Sequence, residues 1–288
     1  MVRKRIRDPD PEILPEAPAD NDSGSDDDVD MVNVEFEWFN FKPDIDFHGV
    51  KSLIRQLLDV DSQLFDVSAL ADLILSQTTL GSTVKVDGEE TDPYAFLTIL
   101  NLREHKEKKV IKDLTEYIVA KAKSEPTLKP VADLLSSSAE VGLILAERLI
   151  NVPSEIAPPM YSMLIDEIEA AVEDNEPYEF THYLIVSKTY HEIASALDQE
   201  EAPKSKKNKA SKGSKEIFYF HPEDEVLQKH TLAFGSYDYT KDEGEGMADS
   251  KRAFSDMGVK PQGSMLLIEA AKFEGAIKAI SEYLSPPQ

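Results

Sequence analysis

The chain has 288 residues, 41% of them hydrophobic, which is enough apolar material for a sizeable core in one or two domains. It contains no cysteine, so disulfides, thiolate catalysis and thiolate metal sites are excluded. A net charge of −24 disfavours bare nucleic acid as a partner and favours cationic ones, because a field of one sign repels phosphates and speeds encounter with the opposite sign.

Residues 1–30 hold four basic and ten acidic residues, a net −6, so −18 falls on the remainder. With proline, glycine and a run of aspartates and almost nothing to bury, this segment is expected to be disordered. Its opening, MVRKRIRDPD, has no apolar stretch and does not read as a secretory signal. No apolar run approaches the ~20 residues that span a bilayer, so neither membrane nor secretion is expected. Arg3, Lys4, Arg5 and Arg7 form a basic cluster that suits a nuclear import receptor or, equally, a solvated terminus. Ser23 and Ser25 each precede an aspartate by three residues, the spacing of an acidophilic kinase site.

Val32, Val34, Phe36 and Trp38 alternate with polar neighbours and predict a first, core strand. After a turn at 42–46, Val50, Leu53, Ile54, Leu57 and Leu58 fall on one helical face. Asp66 reads as the N-cap of a second helix burying Val67, Leu70, Ile74 and Leu75. Gly81 breaks the chain before a short strand at Val84 and Val86, an acidic turn spans 87–92, and 94–100 predicts another strand. A helix is expected over 104–123, opened by the basic run REHKEKK, with a short one over 128–135. The run is read as a solvated face before it is read as a binding patch.

Val141 to Ala146 form an apolar run without alternation, which suits a strand covered on both faces. Pro158 and Pro159 are tolerated only in a helix's first turn, so a helix is expected from about Ala157, turning Met160, Leu164, Ile168 and Ala171 inward. A long strand follows over 180–190. Residues 199–215 carry six lysines and no bulky apolar side chain, predicting an exposed loop. Within it Lys204, Lys206, Lys207 and Lys209 are candidates for an import motif. Strands at 217–220 and 232–239, joined through HPEDEVLQKH, precede a flexible acidic loop over 238–249. A short strand at 265–268 and a closing helix carrying Phe273, Ala276, Ile277, Ile280 and Leu284 end the chain. The whole predicts one mixed-sheet α/β domain over 31–288, flanked by helices.

The stretch AERLINVPSEIAPPMY, beginning at Ala146, and VNVEFEWFNFKPDIDFHGVKSLIRQLL, from Val32 to Leu58, strongly resemble the BCCIP family, as do LTILNL from Leu97 and YLIVSK from Tyr183. The resemblance covers most of residues 31–190 and is looser after Asp198. It implies a fold similar to GCN5-type acetyltransferases, a nuclear location, possible shuttling to the cytoplasm included, and two clients. One is a basic ribosomal protein of the large subunit, of the uL14 type, escorted toward 60S ribosome biogenesis. The other is a phosphatidylinositol-4-phosphate 5-kinase exported from the nucleus. The family's human member is also linked to DNA repair and cell-cycle control, which implies a scaffold as an alternative.

In the GCN5-type fold the acetyl-CoA pyrophosphate rests on backbone N–H groups in a turn of the form (Q/R)xxGx(G/A). The corresponding turn here, Glu147 to Pro153, has no glycine, loses a donor at Pro153 and carries a carboxylate. The cofactor site therefore reads as degenerate, with no enzyme activity and no cofactor expected, and acetyl transfer is the rival reading. None of the six histidines has the close spacing of a zinc site, so no metal is expected. His221 and His230, near Glu223, Asp224 and Glu225, read as a polar strand connection before they read as an acid/base cluster. Arg148 and Asn151 are candidates to face a partner; alternatively Arg148 neutralises Glu147 and Asn151 holds the turn. Asp166, Glu167, Glu169, Glu173, Asp174, Glu176 and Glu179 are candidates for a client-binding acidic surface. A monomer is expected.

Overall fold

The computed structural model describes residues 34–77, 79–192, 216–240 and 259–285. Along these the chain forms β1 (Glu37–Asn40), α1 (Pro43–Leu58), α2 (Val67–Leu75), β2 (Ser82–Lys85) and β3 (Ala95–Asn101). Next come α3 (Lys109–Ser124), α4 (Lys129–Leu135), β4 (Val141–Arg148), α5 (Ala157–Glu173) and β5 (His182–Glu192). The two-residue β6 (Phe218–Tyr219), α6 (Pro222–Leu227), β7 (Ala233–Tyr237), β8 (Val259–Glu269) and α7 (Ala270–Leu284) complete it. The strands make one sheet in the order β1-β2-β3-β4-β5-β8-β7, with β6 pairing β5 off that path. Only β4 and β5 run parallel among these pairs; the rest are antiparallel.

The sheet separates two hydrophobic cores. Leu143 and Leu145 of β4 and Leu184 and Val186 of β5 face the core built with α1 to α4. Ile144, Tyr183 and Ile185 face the one built with α5, α6 and α7. Burial on both sides is why β4 reads as a continuous apolar run. Pro158 and Pro159 stand at the start of α5, where a missing N–H costs nothing, and Met160, Leu164, Ile168 and Ala171 are buried. Asp66 caps α2 by accepting from the Ala69 N–H at 3.0 Å.

Several expectations are corrected. The first strand begins at Glu37, and Trp38 and Val34 are 38% and 49% exposed, because β1 is an edge strand with one neighbour. Residues 43–46 belong to α1, which Pro43 opens. α3 begins at Lys109, since the Asn101 side chain accepts from the N–H groups of Arg103 and Glu104 and draws REHKEKK into turns. The last strand is longer than 265–268, pairing with β5 from Val259 to Glu269. HPEDEVLQKH is more than a polar connection between strands: it contains α6, with His221, Glu223 and Asp224 buried.

Candidate functional site

β4 and β5 pair from Val141↔His182 to Leu145↔Val186 and then part. β4 follows β3, with Arg148 opposite Ala95, while β5 stays on β8 as far as Glu192. Because β8 occupies one edge of β5 throughout, β6, which pairs Thr189 and Tyr190, lies on the β4 side, inside the fork. His221, two residues past β6, therefore enters the opening between the diverging strands.

Charged and polar side chains fill this fork. Glu147 Oε2 lies 2.5 Å from the Lys188 ammonium, and its Oε1 lies 3.1 Å from His221 Nε2. The other imidazole nitrogen, Nδ1, is 3.2 Å from Ser187 Oγ, whose hydroxyl donates to Asp224 Oδ2 at 2.5 Å. Arg148 grips Glu223 with both terminal nitrogens, at 2.5 and 3.0 Å. Gln56 of α1 donates to Glu147 Oε1 and to the Arg148 carbonyl, and Lys188 donates to the Gln56 carbonyl, so α1 is tied in as well.

These contacts set the protonation states. Burial pushes the Glu147 carboxyl up, but His221 and Lys188 outweigh it and hold the group at about 2. Burial alone would lower the His221 pKa; the Glu147 carboxylate, with Glu223 and Asp224, raises it instead. An imidazolium donates from both nitrogens, which matches its placement between Glu147 and Ser187. Burial, with Glu223 nearby, carries Asp224 up to about 7.

Ser187, His221 and Glu147 stand in the order of nucleophile, base and orienting acid of a hydrolase triad. Their surroundings do not suit that chemistry. All three are at most 6% exposed, and the cavity they share with Tyr161 and Met160 holds about 20 Å³, room for one water. The arrangement is a lock that joins β4, β5, α1 and α6.

A second feature lies on α5. Asp166, Glu169 and Glu173 share one exposed helical face, and exposed Asp174, Glu176 and Glu179 continue it into the following turn. Among the described residues none of these six carboxylates has a cation within 4 Å, unlike Glu140, which pairs with Arg103. Glu167 does not belong to this surface. It is half-buried and accepts the Gly81 N–H at 2.7 Å, joining α5 to the start of β2.

Arg148 is likewise withdrawn from any partner, and it is Glu223, not Glu147, that it neutralises. Asn151 is exposed in a turn closed by the backbone bond from the Val152 N–H to the Leu149 carbonyl, with no side-chain bond among the described residues. Its turn-holding role thus falls to the backbone. Arg3, Lys4, Arg5, Arg7, Ser23, Ser25, Lys204, Lys206, Lys207 and Lys209 lie outside the described residues. Among those described, no group of three or more histidines and acids is placed to hold a metal, and no helix is long and apolar enough to cross a membrane. Sequence reasoning set His221, Glu223 and Asp224 aside as a polar connection; the signal it passed over was Val226 and Leu227, which give that segment an apolar side to bury.

Fold and site together define a single mixed-sheet α/β domain with an ionic lock in its central fork and an acidic helix face. The BCCIP family profile matches residues 31–227, and the chain belongs to the BCCIP family. Protein bcp1 of Aspergillus fumigatus is 56% identical over 287 residues, 99% of each chain. Protein BCP1 of Gibberella zeae is 59% identical over 269 residues (93% of each), and protein bcp1 of Schizosaccharomyces pombe 45% identical over 263 (90% of this chain, 92% of that one). The crystal structure of BCP1 from Saccharomyces cerevisiae superposes with a TM-score of 0.58 at 27% identity, covering 92% of this chain and 93% of that one.

Proposed function

We propose that the protein is a nuclear, non-enzymatic escort that binds a basic ribosomal protein of the large subunit and keeps it soluble until it joins the nascent ribosome. The observation carrying this reading is the row of carboxylates from Asp166 to Glu179, Glu167 excepted, on an exposed helix and turn, none with a cation within 4 Å among the described residues. A protein built to bind ribosomal RNA exposes Lys and Arg, and a carboxylate face masks them until RNA, with its denser charge, takes over. Support of nuclear export of a lipid kinase client belongs to the same proposal. The test is binding of a purified uL14-type ribosomal protein at rising salt, to wild type and to a variant with Asp166, Glu169 and Glu173 reversed to lysine. Steep salt dependence and weaker binding by the variant are expected; affinity indifferent to both sinks the reading.

Acetyl transfer is the second reading, and the parting of β4 from β5 is what favours it. Likeness to the GCN5-type fold is part of this proposal. Against it stand the filled fork, a turn without glycine after β4, and two prolines in the first turn of α5, where N–H donors would be needed. Calorimetry with acetyl-CoA is expected to give no heat of binding, and micromolar affinity would restore the enzyme.

A further inference from the structure

The basic run that opens the α3 region leads to a cleft separate from the features above. It lies between α3 and the connection from α4 to β4 and encloses about 460 Å³, within the range of small-molecule sites. Leu102, Ile111, Leu135 and Val141 give it an apolar floor, and Arg103, Lys106 and Lys112 supply three cations. Against these its lining holds one carboxylate, Glu116.

We propose that this cleft binds a phosphomonoester carried on an apolar body. The cations differ in how they are held. Arg103 is positioned, donating to the Ser138 carbonyl at 3.1 Å and pairing with Glu140. Lys112 pairs with Glu107 at 3.1 Å, but that carboxylate is 79% exposed, and an ion pair so open to water is worth at most about 1 kcal/mol, little to give up for a ligand. Lys106 has no carboxylate within 4 Å among the described residues. The Ser137 hydroxyl is spent on the Leu134 carbonyl and the Ala139 N–H, whereas those of Ser138 and Thr115 make no side-chain bond among the described residues.

Three cations and two hydroxyl donors exceed what the two oxygens of a carboxylate use. A phosphomonoester presents three terminal oxygens and a charge of roughly −1.5 to −2. The apolar floor then takes whatever the phosphate is attached to. The net charge of −24 does not forbid this, since screening over about 8 Å leaves a small recessed ligand governed by its nearest charges while long polyanions remain repelled.

The test is calorimetric titration of the full chain with phenyl phosphate, inorganic phosphate and phenol, repeated on Lys106→Glu/Lys112→Glu and on Ala139→Trp, which fills the cleft without changing charge. Both variants alter exposed or half-exposed positions, and thermal melting checks that they fold. One-to-one binding of phenyl phosphate is expected, at least tenfold tighter than inorganic phosphate or phenol and weakened at least tenfold by each variant. Flotation with phosphatidic acid vesicles, against phosphatidylcholine alone, separates the sources: co-flotation lost in the charge variant assigns a lipid phosphate, and no flotation assigns a soluble one. Absence of saturable binding at millimolar phenyl phosphate, or equal binding by folded variants, overturns the proposal.

Discussion

The Lys188 ammonium sits 2.5 Å from Glu147 Oε2 across the fork where the β4–β5 ladder has ended, so an ion pair continues the join between two strands whose backbones no longer meet. Neither side chain is more than 8% exposed. A buried pair of this kind costs desolvation of both ions, and removing one partner strands the other.

Glu147→Ala is therefore expected to destabilise the protein by about 3–5 kcal/mol, the range for breaking a buried pair. Glu147→Leu with Lys188→Met should recover most of that loss, because no ammonium is then left buried without its carboxylate. Urea denaturation of the three proteins checks the order, and a double variant less stable than the single one would contradict it.

The same network gives stability a maximum in mildly acidic solution. Asp224 and His221 both have pKa values raised in the folded state, Asp224 to about 7, so the folded form binds more protons and loses stability as pH rises toward and through those values. Glu147, held at about 2, works the other way and gives up its contribution as pH falls below its ordinary value of 4.5. Stability should peak at about pH 4, between the ordinary pKa values of Asp224 and Glu147 where the two slopes cancel, and decline toward pH 8. Asp224→Asn should flatten the decline while leaving the acid limb, a comparison that chemical denaturation at five or six pH values decides.

This lock was the part of the molecule least legible in the sequence. Local periodicity revealed α1, α2, α5 and the closing helix, and an unbroken apolar run revealed β4, because each shows its burial pattern within a few residues. The pairs Glu147–Lys188, Arg148–Glu223 and Ser187–Asp224 span 41, 75 and 37 positions, and nothing local distinguishes a glutamate destined for a buried partner from one destined for water. Hence Glu147 read only as a carboxylate of the wrong sign in the turn after β4, and the HPEDE segment as a polar strand connection. The reverse error fell on Trp38, whose alternation was correct for a strand but silent on whether a helix covers it.

Gly81 joins the acidic helix to the sheet and tolerates no side chain. Its φ is +107°, and an added Cβ would lie 2.4 Å from the Leu97 carbonyl oxygen and 2.8 Å from the Thr98 Cα, both backbone atoms that cannot step aside. Gly81→Ala should cost about 2–3 kcal/mol. Glu167→Ala, which deprives the Gly81 N–H of its acceptor, should cost about 1–3 kcal/mol. Thermal or urea melts measure both.

Glu167 also separates structure from surface within one helix. Asp166, Glu169 and Glu173 have no cation within 4 Å among the described residues, and three lysines at these spacings repel one another no more than three carboxylates do, so reversing all three should leave folding stability within about 1 kcal/mol of wild type. Binding should respond in the opposite sense. If the face masks a client's lysines and arginines, each reversal replaces attraction with repulsion. The triple variant should then lose at least tenfold in affinity at low salt, with a shallower dependence of what remains on salt. Glu167→Ala should show the mirror image, a less stable protein that, once folded, binds its client as wild type does. A triple variant that melts normally and still binds at full strength would move the client to another surface of the domain.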